Sequence, residues 1–326
     1  MKIIYFHRNS DAGFSINKVT QTIVRQIDNK VEYYMPYSGS SLKALINNLL
    51  FIFKHREKDA IHHITGDIHY GLLALIGRKK VLTVHDTVGL DFNKMNPLKS
   101  LIYEVLWFRV PLILADRVLC ISEVTKQYLL KYTSRKDIQV IHDAIDSKLS
   151  FCPMKKIGAT VEILFIGTKD NKNLNRCFAA LDGINCHITI IGKLRTEQVD
   201  TLNQHSIKYT NKWNLSDEEL NEEYRKCDIV SFCSLFEGFG MPALEANQVG
   251  RPVLCSNIPV LKEVVGDAAC FVDPYNIESI KDGYLRLISN EGYRSELVSR
   301  GQENVSKFYP NIIRKQWIDV YKSFKE

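Results

Sequence analysis

Residues 231–250 of the chain read SFCSLFEGFGMPALEANQVG and predict a strand, a glycine-containing turn and the start of a helix. The run at residues 228–232 has the length and β-branched content of a buried parallel strand. Gly238 and Gly240 permit tight or left-handed backbone, and Pro242 suits the first turn of a helix, where an N–H would be unpaired anyway. Such a turn can hold a phosphate through backbone N–H groups and the helix dipole.

Two glutamates flank this turn, Glu237 and Glu245, with seven residues between them. We expect Glu237 at the exit of the strand and Glu245 near the first turn of the helix. A carboxylate is a poor neighbour for a phosphate, but it accepts hydrogen bonds from sugar hydroxyls. The pattern therefore predicts a phosphate bound by backbone, with hydroxyl-rich groups on either side bound by carboxylates. The alternative is that the two side chains are a helix N-terminal charge and a surface acid.

The string EGFGMPALEA at residues 237–246, followed by GRPV at residues 250–253, resembles the E-x7-E signature of the retaining glycosyltransferases of family 4. Members of this family have two Rossmann-like domains that face each other across a cleft, the GT-B fold, and move a sugar from a nucleotide diphosphate to an acceptor. The resemblance implies that Glu237 binds hydroxyls of the donor sugar and that Glu245 binds the nucleotide ribose. It also implies that the diphosphate meets the backbone amides of Gly238, Phe239, Gly240 and Met241.

Length and composition predict a globular α/β protein of two domains. The 326 residues suit two domains of about 150 residues each, and 45% apolar with 25% charged residues is typical of soluble chains. Eight cysteines without a C-x-x-C pair predict buried free thiols in a reducing cytosol. The chain starts on a short strand, without a signal peptide, and its longest apolar stretches are interrupted, so we expect a cytoplasmic protein.

The first half alternates apolar runs with helical patterns, which is typical of a parallel, doubly wound sheet. Predicted strands lie at residues 3–7, 32–35, 60–64, 80–85, 117–122 and 138–141, and predicted helices lie at residues 16–26, 42–53, 97–114 and 123–132. We expect an acceptor-side Rossmann-like domain at residues 1–152 and a nucleotide-sugar-binding Rossmann-like domain at residues 159–307. By the same resemblance, a helix at residues 308–326 packs back on the first domain.

In the first domain, the candidates lie in loops that follow strands. Gly13, in the turn at residues 8–15, is a candidate donor contact or part of an ordinary strand-to-helix turn. His85 matches the family histidine near the reacting carbon of the donor sugar, with Asp86 orienting it or meeting the acceptor; the alternative is a histidine that only hydrogen-bonds a loop. His142 and Asp143 stand where the family usually has an asparagine, so the resemblance does not determine what this loop does.

A metal site is not expected among the histidines of the first half. His62 and His63 are adjacent in a predicted strand, and neighbouring side chains of a strand point to opposite faces. The two imidazoles therefore cannot easily bind one ion, although His69 and His85 offer the right ligand type.

In the second domain, the loop after the strand at residues 161–166 carries the candidate cations. Lys172 matches the family lysine on the donor diphosphate, whereas Thr168 stands where the family often has an arginine. Lys169 is the candidate to compensate for that arginine, and a solvated surface lysine is the alternative for either. By analogy Trp213 borders the nucleotide base, unless it is plain core.

The resemblance predicts a metal-independent, retaining glycosyltransferase in cell-surface polysaccharide synthesis, with His85, Glu237 and Lys172 as catalytic residues. The donor is a nucleotide-diphosphate sugar, of UDP or GDP type, and no other cofactor is expected. The acceptor is a glycan or a lipid-linked glycan. A sugar-nucleotide epimerase or phosphorylase on the same fold is one alternative. A catalytically silent nucleotide-sugar-binding module is another, suggested by the missing arginine at Thr168.

Charge is uneven along the chain. Residues 1–150 hold 21 Lys plus Arg against 14 Asp plus Glu, a net +7, whereas the whole chain has a net charge of +6. No nucleic-acid-binding motif accompanies this excess, so nucleic acid is not expected as a partner. Helical stretches at residues 42–56 and 94–109 mix bulky apolar side chains with Lys and Arg. They favour a peripheral site on an anionic inner membrane face, unless their apolar residues only cover the sheet.

Overall fold

The structure, a computed structural model, describes residues 1–10, 14–87, 96–146 and 148–324, without the side chains of residues 14 and 15. It divides into two compact units. The first unit comprises Met1–Asp146 with Phe308–Glu326, and the second comprises Ser147–Lys307.

The first unit contains a parallel sheet of six strands in the order β2-β1-β3-β4-β5-β6. The strands are β1 (Ile3–His7), β2 (Lys30–Tyr34), β3 (Ile61–Ile64), β4 (Lys79–Val84), β5 (Arg117–Cys120) and β6 (Ile138–Val140). All residues of β1 and β3 are buried, as expected for strands covered on both faces. The chain leaves β1 toward β2 on one side, and the remaining strands continue on the other. The order of the sheet therefore reverses between β1 and β3.

Helices cover this sheet, and their bounds follow the predicted ones closely. They are α1 (Phe14–Val24), α2 (Leu42–His55), α3 (Pro97–Glu104), α4 (Val110–Leu114), α5 (Glu123–Leu129) and the terminal α13 (Pro310–Lys322), with a 3-10 helix at His69–Leu75. The Ser41 hydroxyl caps α2 by accepting the N–H of Ala44. Within the same unit, α13 packs against α1.

The helix predicted at residues 97–114 is divided, because a proline lies inside it. A π-helical turn, Val105–Arg109, separates α3 from α4, and Pro111 is in the first turn of α4. A proline cannot donate to the carbonyl four residues earlier, which here is that of Trp107. That carbonyl instead accepts a hydrogen bond from Nδ1 of His69, at 2.6 Å.

Buried polar groups join the sheet of the first unit to α13. The Tyr5 and Tyr321 hydroxyls are 2.9 Å apart, and His63 Nδ1 lies 2.7 Å from the Tyr321 hydroxyl. His63 Nε2 lies 2.7 Å from Thr83 Oγ1, and the Trp317 ring packs beside the imidazole. Each polar atom of this cluster thus has a partner, as burial requires.

The second unit contains a second parallel sheet of six strands, in the order β12-β11-β10-β7-β8-β9. The strands are β7 (Val161–Ile166), β8 (Cys186–Ile191), β9 (Lys208–Lys212), β10 (Ile229–Phe232), β11 (Val253–Ser256) and β12 (Cys270–Val272). The helices are α6 (Leu174–Ala180), α7 (Thr196–Gln204), α8 (Asp217–Lys226), α9 (Met241–Val249), α10 (Pro259–Val265), α11 (Ile277–Ser289) and α12 (Glu291–Val305). Counted from β7, this is the 3-2-1-4-5-6 order of the Rossmann fold, and its reversal lies between β7 and β10.

The fold class predicted from the sequence is confirmed: the protein is α/β, with two Rossmann-like units. All eight cysteines are free, and only Cys152 is not buried. A capping box formed by Ser216 and Glu219 opens α8. Within the described ranges, no helix combines the length and apolar character that crossing a membrane requires.

The buried histidines of the first unit predict acid sensitivity. Burial lowers the pKa of His62 and His69 to about 4 and that of His63 well below its usual value. Between the folded and the unfolded pKa the unfolded chain binds more protons, so stability is complete above about pH 6.5 and falls as the pH drops toward 4. At about pH 5, His62 and His69 should each cost on the order of 1 to 2 kcal/mol of unfolding free energy.

Tryptophan fluorescence during denaturant unfolding can measure this loss. In a Trp213→Phe background the two remaining tryptophans, Trp107 and Trp317, both belong to the first unit. A His69→Gln variant keeps a donor for the Trp107 carbonyl and should lose less stability than its parent between pH 7.5 and pH 5. An equal loss in parent and variant would contradict the assignment.

Candidate active site

The sequence-predicted lysine and glutamate of the second unit meet at the reversal of its sheet. Lys172 lies in the loop after β7, and Glu237 lies in the loop after β10, its neighbour. Ligands of open α/β sheets bind beyond the carboxyl ends of the strands at such a reversal, because the two following loops diverge there. The topology therefore singles out this edge as a binding crevice of the unit.

Lys172 and Glu237 form a partly buried ion pair. Lys172 Nζ lies 2.6 Å from Glu237 Oε1, and the two side chains are only 16% and 14% exposed. Asn171 Nδ2 donates to the same oxygen at 3.3 Å and to the Phe236 carbonyl at 2.9 Å. The Leu235 N–H donates to the Asn171 carbonyl at 2.7 Å. These bonds hold the two loops, and with them the two charges, in one arrangement.

Gly167 and Phe232 shape the path of the lysine. Gly167 has a φ of 90°, and a Cβ at this position would lie 2.9 Å from Cε of Lys172. The absence of a side chain lets the aliphatic part of Lys172 cross the backbone at the end of β7. Its ammonium then lies 4.5 Å from the centre of the Phe232 ring, within cation–π distance. A freely solvated surface lysine would lack these contacts.

The glycine turn leads into α9 as the sequence predicts. Gly240 precedes the helix with a φ of 113°, and Pro242 lies in its first turn. A Cβ on Gly240 would also come within 2.4 Å of Leu261 Cδ2, so this position requires glycine for two reasons. Phe239 is buried, which leaves its backbone as the part that a ligand could contact. The positive end of the α9 dipole lies at Gly240 and Met241, close in sequence to Glu237.

Glu245 accepts a hydrogen bond from the buried Tyr224, which was not predicted from the sequence. The Tyr224 hydroxyl lies 2.7 Å from Glu245 Oε2 and 3.4 Å from the Pro242 carbonyl. Burial, reinforced by the Glu245 charge, raises the pKa of Tyr224 well above its usual value, so the phenol stays a neutral donor. Tyr224 is the one aromatic residue of the polar α8 sequence DEELNEEYRK, and that contrast was a signal that could have found it.

The remaining predicted positions of the second unit lie in loops around this edge. The Thr168 hydroxyl donates to the Lys193 carbonyl at 2.8 Å, so it braces the loop after β8. Lys169 is exposed and lines a cavity together with Arg176 and Arg195. Arg195 was not predicted from the sequence, because it follows a different strand, β8. Trp213 is 55% exposed after β9, and the alternative that it is plain core is wrong.

In the first unit, His85 is buried at the carboxyl end of β4. Its Nε2 donates to the Thr65 carbonyl at 3.1 Å, and its Nδ1 lies 3.7 Å from Asp143 Oδ1. Thr65 follows β3, the strand beside β4, and its hydroxyl lies 2.8 Å from Nδ1 of His7 at the end of β1. Residues from three neighbouring strand ends thus fix the imidazole.

Two carboxylates, those of Asp143 and Asp86, determine the charge environment of His85. Burial lowers the pKa of this imidazole, but Asp143 and, more weakly, Asp86 outweigh burial, and the net pKa is raised. The sequence predicted that Asp86 orients His85 or meets the acceptor, and the structure adds Asp143, whose Oδ1 lies 3.7 Å from Nδ1. The unusual His142-Asp143 pair, in place of the family asparagine, was the signal for this contact.

The other first-unit candidates have different outcomes. Gly13 lies outside the described residues. His62 and His63 point to opposite faces of β3: His62 Nε2 accepts the Glu57 N–H, and His63 contacts Tyr321. Within the described ranges, no three His, Cys, Asp or Glu side chains group as a metal site.

Two family models match the chain, one for each half. Residues 6–149 match the model described as Glycosyltransferase Family 4, and residues 153–304 match the model described as Glycosyl transferases group 1. The chain has the domains and the fold of a GT-B glycosyltransferase. The matched ranges cover both strand-end sites described above.

Individual relatives share modest sequence identity with this chain or match only part of it. The chain is 36% identical over 106 residues to O-antigen chain mannosyltransferase B of Escherichia coli, a match that covers 32% of this chain and 28% of that enzyme. The Staphylococcus aureus capsular polysaccharide biosynthesis glycosyltransferase CapM is 23% identical over 337 residues, covering 92% and 87% of the two chains. Anabaena HepE in complex with UDP-glucose superposes with a TM-score of 0.81 at 16% identity, covering 99% of this chain and 100% of that one.

Proposed function

We propose that this glycosyltransferase transfers a sugar, with retention of configuration, from a nucleotide-diphosphate sugar to a glycan acceptor in cell-surface polysaccharide synthesis. The observation that carries the proposal is the Lys172–Glu237 pair at the reversal of the second sheet, in which Glu237 shortly precedes the start of α9. A sugar diphosphate needs a cation and helix amides for its phosphates and a carboxylate for its hydroxyls. This edge of the unit supplies all three.

Lys172 acts on the leaving group in the proposed reaction. Negative charge on the diphosphate grows as the bond to the sugar breaks, and a fixed ammonium and a helix N-terminus stabilise that growing charge more than the ground state. The ammonium needs no reorganisation, because Phe232 and Glu237 already orient it.

Glu237 binds donor-sugar hydroxyls rather than attacking the sugar. Retention through a covalent intermediate requires a carboxylate that attacks the anomeric carbon. Glu237 carries a cation 2.6 Å from one oxygen and an amide donor on the same oxygen, and both reduce its nucleophilicity. A front-side reaction, in which the leaving phosphate accepts the proton of the acceptor, agrees better with this environment.

The names of the relatives support the substrate class without fixing the donor. Mannosyltransferase B and CapM are named for O-antigen chains and capsular polysaccharide, and HepE was solved with UDP-glucose. For this chain we propose a nucleotide-diphosphate sugar as donor, with Glu245 on the ribose and the exposed Trp213 beside the base. Both UDP and GDP sugars are candidate donors, because none of these contacts distinguishes uracil from guanine.

Replacing Glu237 or Lys172 by alanine should lower kcat at least about tenfold, which corresponds to about 1.4 kcal/mol of transition-state stabilisation. Lys226→Ala is the matched control, since Lys226 is 65% exposed and its partner Glu223, at 3.4 Å, keeps the closer Lys212 at 3.0 Å. Steady-state assays with a donor and acceptor panel measure the effect, and melting temperatures verify folding. Unchanged kcat in both site variants would exclude this site.

Two parallel assays separate the alternatives. Incubation of the enzyme with donor alone, followed by sugar analysis, detects an epimerase through an epimerised sugar. Tight donor binding without turnover on every acceptor would instead indicate a silent binding module.

Activity should persist in excess chelator, because Lys172, Lys169 and the α9 N-terminus can supply the positive charge that a metal ion supplies elsewhere. The measurement compares initial rates with and without EDTA, after dialysis of the enzyme against chelator. Loss of activity that Mn²⁺ or Mg²⁺ restores, but Ca²⁺ does not, would refute metal independence.

The acceptor side of the proposal rests on exposed apolar residues of α2. Leu42, Ile46, Leu50 and Phe53 are 72%, 48%, 61% and 55% exposed. Their spacing of four, four and three residues places them along one face of the helix. Different residues of α2, namely Ala44, Asn48 and Ile52, are buried, and the helix packs on the 3-10 helix at His69–Leu75. Covering the sheet therefore does not explain the outer apolar row.

Basic residues accompany these exposed apolar side chains. Lys43 and Lys54 are exposed on α2, and Arg56 stacks on the Phe53 ring at 3.6 Å. On α3, which has no buried residue, Leu98, Leu101 and Ile102 are exposed beside Lys99. Such surfaces bind the interface of anionic membranes, and we propose that the enzyme meets a lipid-linked or membrane-proximal glycan there.

Vesicle co-sedimentation tests the membrane surface directly. The enzyme should pellet with vesicles that contain anionic phospholipid, and less of it should pellet as salt rises, because salt screens the contact between Lys, Arg and headgroups. An Ile46→Ser/Leu50→Ser variant should pellet several-fold less. Leu285→Ser, which changes an equally exposed leucine of the second unit, is the control. Protein that stays in the supernatant with anionic and neutral vesicles alike would favour a soluble acceptor.

A further inference from the structure

The protonation state of His85 follows from the partners of its two ring nitrogens. Nε2 points at the Thr65 carbonyl, which can only accept, so Nε2 carries a hydrogen. Nδ1 faces the Asp143 carboxylate at 3.7 Å, and an ionised carboxylate also only accepts. A neutral imidazole has one N–H, so it cannot serve both oxygens. Both contacts are favourable only in the imidazolium form.

The partner of Nε2 is itself firmly held. The Thr65 N–H donates to the Phe6 carbonyl at 3.2 Å, and the Thr65 hydroxyl lies 2.8 Å from His7 Nδ1. His7 Nε2 lies 3.2 Å from Glu32 on the adjacent strand β2. Rotation of the His85 ring would break its contact with this braced segment, so the orientation of the imidazole is fixed from the sheet side.

The charged and titratable groups near His85 favour a positive charge on its imidazole. Asp143 follows β6, and Asp86 follows His85 itself; both carboxylates favour the imidazolium. His63 on β3 and His69 on the 3-10 helix lie near enough to repel it. Burial, with repulsion from His7 and then His85, lowers the pKa of His63, and burial with repulsion from His85 lowers that of His69, so both stay neutral. Burial thus keeps His63 and His69 neutral, whereas the Asp143 and Asp86 carboxylates favour the charged form of His85.

We propose that Asp143 is a positioning residue that fixes His85 as an imidazolium, so that His85 contributes a standing positive charge to the transfer reaction and moves no proton. The proposal rests on the proposed function for its catalytic part. Where the family resemblance expects an asparagine, this chain has a carboxylate, and a carboxylate supplies a full negative charge to Nδ1. An amide would supply only a dipole.

The reaction then balances without a histidine base. The acceptor hydroxyl oxygen bonds to the anomeric carbon as the bond from that carbon to the diphosphate oxygen breaks, and the bonding electron pair leaves with the diphosphate. The hydroxyl proton passes to the diphosphate. A general base needs a nitrogen lone pair, and the imidazolium has none. His85 instead stabilises negative charge by its electrostatic field.

Titration of His85 by NMR, on the full-length protein labelled with ¹³C-histidine, tests the charge state without any substrate. A His85→Gln variant assigns the signal. Asp143→Asn should lower the His85 pKa by at least about one unit. Asp146→Asn is the control: Asp146 lies in the same loop but pairs with Lys18, so the His85 titration should not move. An unchanged His85 pKa in Asp143→Asn would overturn the proposal, whatever the enzyme catalyses.

The pH profile of kcat/KM tests the catalytic part. Because the His85 pKa is raised, the imidazolium is present below that pKa and is lost as the pH rises through it. Activity of the parent should fall on the alkaline side, and in Asp143→Asn this fall should move to lower pH by the shift that NMR measures. At a pH above both falls the variant should be about tenfold slower than the parent for each unit by which its fall has moved. If kcat/KM instead decreases as the pH drops through the His85 pKa, so that activity requires the deprotonated ring, His85 acts as a base and the proposal is overturned.

The failures of the two proposals are distinguishable. If NMR shows the shift but no donor and acceptor pair is turned over, the proposed function fails and the charge assignment stands. If transfer occurs and Asp143→Asn has the parental pH profile at a shifted His85 pKa, the function stands and the role of the charge fails. Melting temperatures of Asp143→Asn and Asp146→Asn, taken at each pH, exclude unfolding as the cause.

Discussion

In both units all six strands run parallel, so every strand ends at the same edge of its sheet and every following loop starts there. This constraint brings together residues that are far apart in the sequence. Lys172 and Glu237 follow β7 and β10, and His85 and Asp143 follow β4 and β6. Each pair joins one cationic and one anionic side chain across two loops. The backbone topology brings the loops to one edge, and the ion pairs then determine how the side chains are oriented there.

Burial sets what these pairs can do. An isolated buried charge is costly, and removing one partner of a buried pair leaves that cost uncompensated. Glu237 offsets that cost beside Lys172, and Asp143 offsets it beside His85. His63 lacks such a carboxylate and is bound by neutral hydroxyls, so burial drives it to the neutral form. Neighbouring histidines of one unit thus differ in charge because their hydrogen-bond partners differ.

The sequence determined the elements better than the contacts between them. Apolar runs located the strands, and the glycine and proline of the EGFGMP turn located the start of α9, because these features act within a few residues of the chain. The division of the helix at residues 97–114 could also have been predicted, since the sequence has Pro111 inside it. The contacts of Asp143 with His85 and of Tyr224 with Glu245 were not, because they depend on which loops meet and on the side-chain rotamers there.

The same reasoning explains why a carboxylate is useful beside a cation that stabilises growing negative charge. A lysine or histidine without a partner would adopt many orientations, and ordering it during the reaction would cost conformational entropy. Glu237 and Phe232 orient the Lys172 ammonium, and Asp143 and Thr65 orient the His85 ring. Each carboxylate weakens the field of its cation at a distance, yet it removes the need for reorganisation. For a reaction whose main demand is the stabilisation of growing negative charge, fixed dipoles and charges contribute most.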